Sequence, residues 1–125
     1  MHIHEYQAKK LFSHKHIQIP KGALISSIKE ASKACSELGG SIWAVKAQVH
    51  AGGRGKGGGV ILCRSVEEVD NACEKLLDSQ LITPQTDAKG LPINQLLIEA
   101  GQNIERELYL GLLVDRQTQK ITVLA

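Results

Sequence analysis

Three cations, Lys46, Arg54 and Lys56, lie within and just before a stretch that is mostly glycine: Ile42-Trp-Ala-Val-Lys46-Ala-Gln-Val-His50-Ala-Gly-Gly-Arg54-Gly-Lys-Gly-Gly58. Glycine has no Cβ, so a ligand can approach the main chain closely, and it tolerates φ > 0, so several N–H groups can point one way. Cations added to such a loop suit a polyanion, of which a nucleoside triphosphate is the commonest. The plain structural alternative is a lysine that snorkels from the end of an apolar strand and a mobile glycine hairpin.

Known phosphate loops fit incompletely. The Walker pattern fails because Gly57 follows Lys56 where a hydroxyl residue should ligate magnesium. Gly53, Gly55 and Gly58 spell G-x-G-x-x-G, but a dinucleotide site needs a helix next, and the run Val60-Ile-Leu-Cys63 reads as a strand. Strand, glycine loop and strand together make a flap of the kind that kinases fold over phosphates, with Val60 in the valine place. Kinases carry their lysine after the loop, whereas Lys46 precedes it.

Other polar residues offer less. Glu99 ends one apolar run and Glu107 begins another, with Gly101-Gln-Asn103 between them. Both are ordinary strand-end carboxylates in one reading. In the other, the stretch is a hinge whose main chain meets a purine edge, with a carboxylate for ribose hydroxyls. His50 reads as a hydrogen-bonded structural histidine, His14 and His16 as solvated. His2 and His4 sit at metal-binding spacing with no further ligand near in sequence. Cys35, Cys63 and Cys73 fall in apolar patterns and read as inert buried thiols in a reducing compartment.

Capping and periodicity place these residues on a mixed framework. His4 to Lys15 is expected to be a helix, with Ala8, Leu11 and Phe12 on one face, and Pro20 stops it. Ala23–Ile25 reads as a strand. Ser27-Ile-Lys-Glu30 and Ser65-Val-Glu-Glu68 are capping boxes, each opening a helix with an apolar stripe, and Gly39-Gly40 ends the first. Ile42–Val49, Val60–Cys63 and Ile93–Ala100 are expected strands, and 83–92 a loop. From Leu108 the apolar residues alternate and lead through residues 115–120 into Ile121–Leu124, a hairpin. The last strand has no cap or polar tail after it, so the chain is expected to be an N-terminal fragment.

Composition excludes several classes. Fifteen basic and thirteen acidic residues leave a net charge of +2, so no general affinity for nucleic acid or membrane is implied, and neither is expected as a partner. No apolar stretch approaches a membrane span, and no signal-peptide core follows Met1.

The strings His4-Glu-Tyr-Gln-Ala-Lys9 and Val45-Lys-Ala-Gln-Val-His-Ala-Gly-Gly-Arg-Gly-Lys56, with Thr86, Ile98-Glu99 and Glu107-Leu-Tyr109, resemble the N-terminus of succinate–CoA ligase (succinyl-CoA synthetase) β subunits. The resemblance covers essentially all 125 residues. It implies an α+β, ATP-grasp fold. Residues 1–125 would be the N-terminal part of that domain: approximately 20–95 the first subdomain, with its glycine flap at 50–59, and 96–125 the hinge and opening strands of the second. It implies that Lys46 and Arg54 touch phosphate oxygens, that Gly53 and Gly55 offer main-chain N–H groups, and that Glu99, Gln102 and Glu107 line the base and ribose side.

The implied reaction joins succinate and CoA at the expense of ATP or GTP, through a histidine on an α subunit. ADP-forming use is expected over GDP-forming. Catalytic groups, the Mg2+ ligands and the acid- and CoA-binding portion would all lie beyond residue 125, so the fragment alone would be inactive. The expected setting is the cytoplasm, or a mitochondrial matrix. Alternatives are the β subunit of malate–CoA ligase, which shares this pattern, and a non-catalytic nucleotide-binding or subunit-docking module.

Overall fold

Leu96–Ala100 is apolar at four of five positions because it is an interior strand with neighbours on both sides. This strand, β6, belongs to a four-stranded antiparallel sheet in the order β1-β6-β2-β3. The other members are β1 (Gly22–Ile25), β2 (Trp43–Ala47) and β3 (Val60–Cys63). The structure, a computed structural model, describes residues 2–125.

Register decides which side chains meet. Ile98 lies opposite Val45 and Ala23, Leu96 opposite Ala47 and Ile25, and Trp43 opposite Cys63. This face carries the core. It is covered by α2 (Ala31–Leu38), through Ala31, Ala34 and Cys35, and by α3 (Val66–Leu76), through Val69, Ala72, Cys73 and Leu76. Because side chains alternate along a strand, Leu97, Glu99, Ala44 and Lys46 project to the opposite face. There α1 (Glu5–His14) crosses the sheet.

The expected caps differ in detail. Ser65 accepts from the Glu68 N–H at 3.1 Å, and Glu68 accepts in return from Arg64, opening α3 as its sequence implies. Ser27 accepts from Lys29 rather than Glu30, so Ile28–Glu30 forms a 3₁₀ turn before α2 begins at Ala31. Gly39 and Gly40 close α2 with φ of 69° and 82°, a conformation that favours glycine. The strand expected over 42–49 is shorter, β2 spanning Trp43–Ala47, and the buried Gln48 and Val49 lead from it toward the glycine loop.

The expected N-terminal helix forms as α1. Leu11 and Phe12 on its apolar face stay in water, 56% and 49% exposed. The helix docks instead through Glu5, Tyr6 and Lys9, because the sheet surface below it is charged.

Two further pairs complete the chain. β4 (Gln80–Leu81) and β5 (Leu91–Pro92) bracket the expected loop. β7 (Gly111–Asp115) and β8 (Lys120–Leu124) form the expected hairpin as a separate sheet, with Leu112, Val114, Ile121 and Val123 exposed. Among the described residues, no helix is long and apolar enough to cross a membrane.

Ile98 is fully buried at the sheet centre. Ile98→Ala is expected to lower unfolding free energy by about 2–5 kcal/mol, the range for large-to-small core changes, read from the urea midpoint.

Candidate functional site

Glu99 is a carboxylate only 3% exposed in an otherwise apolar strand. An ionised group there must be paired. Lys46 and Lys9 both donate to it, one to each carboxylate oxygen. The pairing follows from register: Ala44 lies opposite Glu99, and Lys46 is two residues further along β2 on the same face. Lys9 reaches down from α1.

A second carboxylate, Glu5, joins the same cations from above. Its Oε1 lies 3.1 Å from the Nζ atoms of both Lys9 and Lys46, and its Oε2 lies 2.6 Å from Nη2 of Arg54. Arg54 reaches back from the glycine loop and also donates from Nη1 to the Ala47 carbonyl at 2.6 Å. Burial alone would raise the Glu5 pKa. The Arg54 hydrogen bond and the charges of Lys46, Arg54 and Lys9 outweigh it and hold the carboxyl at about 2. For Lys46, burial favours loss of the proton, but the bond to Glu99 and the charge of Glu5 prevail and raise the pKa.

Gln48, itself buried, secures this arrangement. Its Oε1 accepts from the Tyr6 N–H at 3.1 Å, and its Nε2 donates to the Lys46 carbonyl at 3.1 Å. His4 stacks on His50 with ring centroids 3.9 Å apart. Burial, and then the charges of His50 and Arg54, lower the His4 pKa and disfavour the charged ring.

The glycine loop is an ordered structure with internal bonds. Gly57, Gly58 and Gly59 donate to the carbonyls of Gly53, Gly55 and Arg54 at 2.8–3.2 Å. The Gly52 N–H donates to Gln85 Oε1 at 2.6 Å. The N–H groups of Gly53 and Gly55 are not among these donors. Gly53 has φ +72°, and a Cβ there would lie 2.9 Å from Pro84 Cδ. A Cβ at Gly57 would collide with the Ile82 carbonyl oxygen, whereas one at Gly55 meets nothing within 4 Å. Glycine is thus needed at 53 and 57 to seat the loop on residues 82–85, and at 55 the space is open.

Two cavities flank the cluster. One, about 440 Å³, is lined by His2, Glu5, His50, Gly52, Arg54 and Gln85 among others. The other, about 300 Å³, is more apolar and is lined by Tyr6, Lys9, Pro20, Leu24, Leu97 and Glu99 among others. Glu5 borders the first, Glu99 the second, and Lys46 bridges the two carboxylates.

Of the residues expected to bind, the fold therefore brings Lys46, Arg54 and Glu99 together, with Gly53 and Gly55 in the adjoining loop. Gln102 lies apart, donating weakly to the Ala100 carbonyl beside a groove under Gly39–Ile42. Glu107 is exposed in the strand-free segment before β7, and among the described residues it makes no ion pair. Sequence reasoning assigned no role to Glu5, Lys9 or Gln85. The one local signal was the Glu5/Lys9 spacing of four on a helix. The thiols of Cys35, Cys63 and Cys73 are buried, and burial raises their pKa values, that of Cys73 to about 12. Among the described residues, no three His, Cys, Asp or Glu side chains form a group that could hold a metal ion.

Residues 2–125 match the family described as the ATP-grasp domain. The ADP-forming succinate–CoA ligase β subunit of Ruthia magnifica is 69% identical over 125 residues, all of this chain and 32% of that protein. The same subunit from Alkalilimnicola ehrlichii is 55% identical over 98% of this chain and 31% of its own length. The chain thus spans about a third of the length of these curated relatives. Among solved structures, a dinucleotide-forming acetyl-coenzyme A synthetase from Korarchaeum cryptofilum superposes with a TM-score of 0.70 at 26% identity, covering 98% of this chain and 50% of that one. That structure holds coenzyme A, acetyl-coenzyme A and a phosphorylated phosphohistidine segment.

Two outcomes test the site as built. With its pKa held below the ordinary value of 4.5, Glu5 contributes stability that is complete above pH 4.5 and lost as pH falls toward 2. Urea unfolding at stepped pH is expected to show that loss, and Glu5→Gln to diminish it. Gly57→Ala is expected to lower Tm by several degrees, roughly what 1–3 kcal/mol of overpacking costs a domain of this size, while Gly55→Ala leaves it nearly unchanged.

Proposed function

The chain belongs to the ATP-grasp family, and we propose that it is the nucleotide-gripping part of the β subunit of an ADP-forming succinate–CoA ligase. The observation that carries this reading is the convergence of Lys46 and Arg54 from two elements between two cavities, in a chain 69% identical to such a subunit. The reaction would be succinate + CoA + ATP ⇌ succinyl-CoA + ADP + phosphate. The relatives named above favour succinate over malate and adenine over guanine nucleotide.

ATP use is the common property of the family. In this reading the triphosphate lies across the cations. Lys46 and Arg54 take phosphate oxygens with charge-assisted donors. Gly53 and Gly55 supply N–H groups from a loop already seated. The purine enters the apolar slot by Pro20 and Leu97, and Glu99 at its inner end faces the ribose. Gln102 and Glu107 would serve the base and ribose side from the segment between β6 and β7. In this reading residues from about 20 to 95 make up the first subdomain, and β6, interior to its sheet, carries the chain on toward the hinge.

Magnesium does not fit the carboxylates at hand. Glu5 and Glu99 are each held by two or three cations, so the metal would be ligated elsewhere in the full-length subunit. When bound it would neutralise part of the triphosphate charge. The phosphoryl-carrying histidine and the CoA site would belong to an α subunit. In this reading the protein works in the cytoplasm beside its soluble substrates.

Lys46→Ala in the complete αβ enzyme is expected to weaken ATP binding by roughly 1.5–3 kcal/mol, measured calorimetrically. Stability also falls, because Glu99 keeps only Lys9 as counter-ion. Unaltered ATP affinity in an assembled variant would remove Lys46 from the site.

A further inference from the structure

We propose that Glu5, on α1, is a positioning residue for the nucleotide-phosphate site: it fixes Arg54 and Lys46 relative to one another. The inference rests on the reading above, in which those cations grip phosphate. Lys46 belongs to β2 and is tied to the sheet through Glu99. Arg54 belongs to a loop and makes no bond to Glu99 among the described residues; its partners are the Ala47 carbonyl and Glu5. Among the described residues, the only group that touches both cations is the Glu5 carboxylate, with one oxygen 3.1 Å from Lys46 and the other 2.6 Å from Arg54. Two like charges brought together repel, and an anion between them is what makes their proximity stable.

Positioning is favoured over competition with phosphate by the count of donors. A lysine ammonium has three N–H groups and a guanidinium five. Lys46 uses two on Glu5 and Glu99, and Arg54 uses two on Ala47 and Glu5. Both side chains remain about a fifth exposed, at 21% and 20%. Each therefore keeps donors for a phosphate while Glu5 stays in place. Charge agrees. Lys9, Lys46 and Arg54 against Glu5 and Glu99 leave the cluster at +1, still attractive to a polyanion. Two long side chains are ordered before ligand arrives, which removes that entropy cost from binding.

The test uses the full-length β subunit assembled with its α subunit, comparing wild type, Glu5→Gln, Glu5→Asp, Arg54→Ala, Lys46→Ala and the double variant Glu5→Gln/Arg54→Ala. Glu5→Gln keeps the shape and loses the charge. It is expected to raise the KM for ATP about three- to tenfold, the cost of immobilising one or two long side chains, with the KM values for succinate and CoA unchanged. Glu5→Asp is expected to fall between, and it carries the test alone if the glutamine variant does not assemble. In the Arg54→Ala background Glu5→Gln is expected to add less than it does alone, because part of its effect runs through Arg54.

Tighter ATP binding by Glu5→Gln would overturn the proposal in favour of competition. An unchanged KM for ATP, or full additivity in the double variant, would overturn it in favour of a purely structural helix anchor. If Lys46→Ala also left ATP binding unaltered, the phosphate-site reading itself would fail, an outcome separate from failure of Glu5 alone.

Discussion

A carboxylate buried in the middle of a sheet sets the terms for the half of this domain that faces α1. Glu99 interrupts an otherwise apolar interior strand, and its desolvation is offset only if cations come to it. Lys46 arrives by register and Lys9 by the docking of α1. Once those two are gathered, their own repulsion calls for a second anion, which Glu5 provides, and Glu5 in turn draws Arg54 from the loop. The N-terminal helix is held by this alternation of charge, and its apolar side chains are left in water.

The two faces of one sheet thereby do different physical work. Toward α2 and α3, burial of Ile98, Val45, Leu96 and Trp43 with the helix stripes gives a nondirectional core. Toward α1, a few charged side chains at fixed distances give a directional surface whose net charge remains positive. The alternation of side chains along β2 and β6 keeps these functions separate without any extra layer.

The glycine loop shows a similar division. Its sequence suggests freedom, yet several of its N–H groups are already spent inside the loop and on Gln85. Its glycines at 53 and 57 let the backbone lie against residues 82–85, while Gly55 stays open. A rigid loop with a few uncommitted groups suits recognition better than a mobile one, because less order has to be created on binding.

Local sequence determined the elements and the chemistry on offer. Capping serines, the Gly39-Gly40 stop, apolar periodicity and the lysine–glycine–arginine string identify the main helices and strands and a cation-bearing glycine loop, because each is fixed by interactions within a few residues. The residues themselves grouped Lys46 and Arg54 as cations of one loop, and the family resemblance assigned both to phosphate oxygens. Which residues complete the cluster was decided by tertiary structure. Glu5 and Glu99 are 94 positions apart and meet through shared cations, and nothing local marks Glu99 as buried or Glu5 as its complement. The apolar stripe of α1 shows the same division: periodicity reports which residues share a face, but only the partner surface determines which face is turned inward.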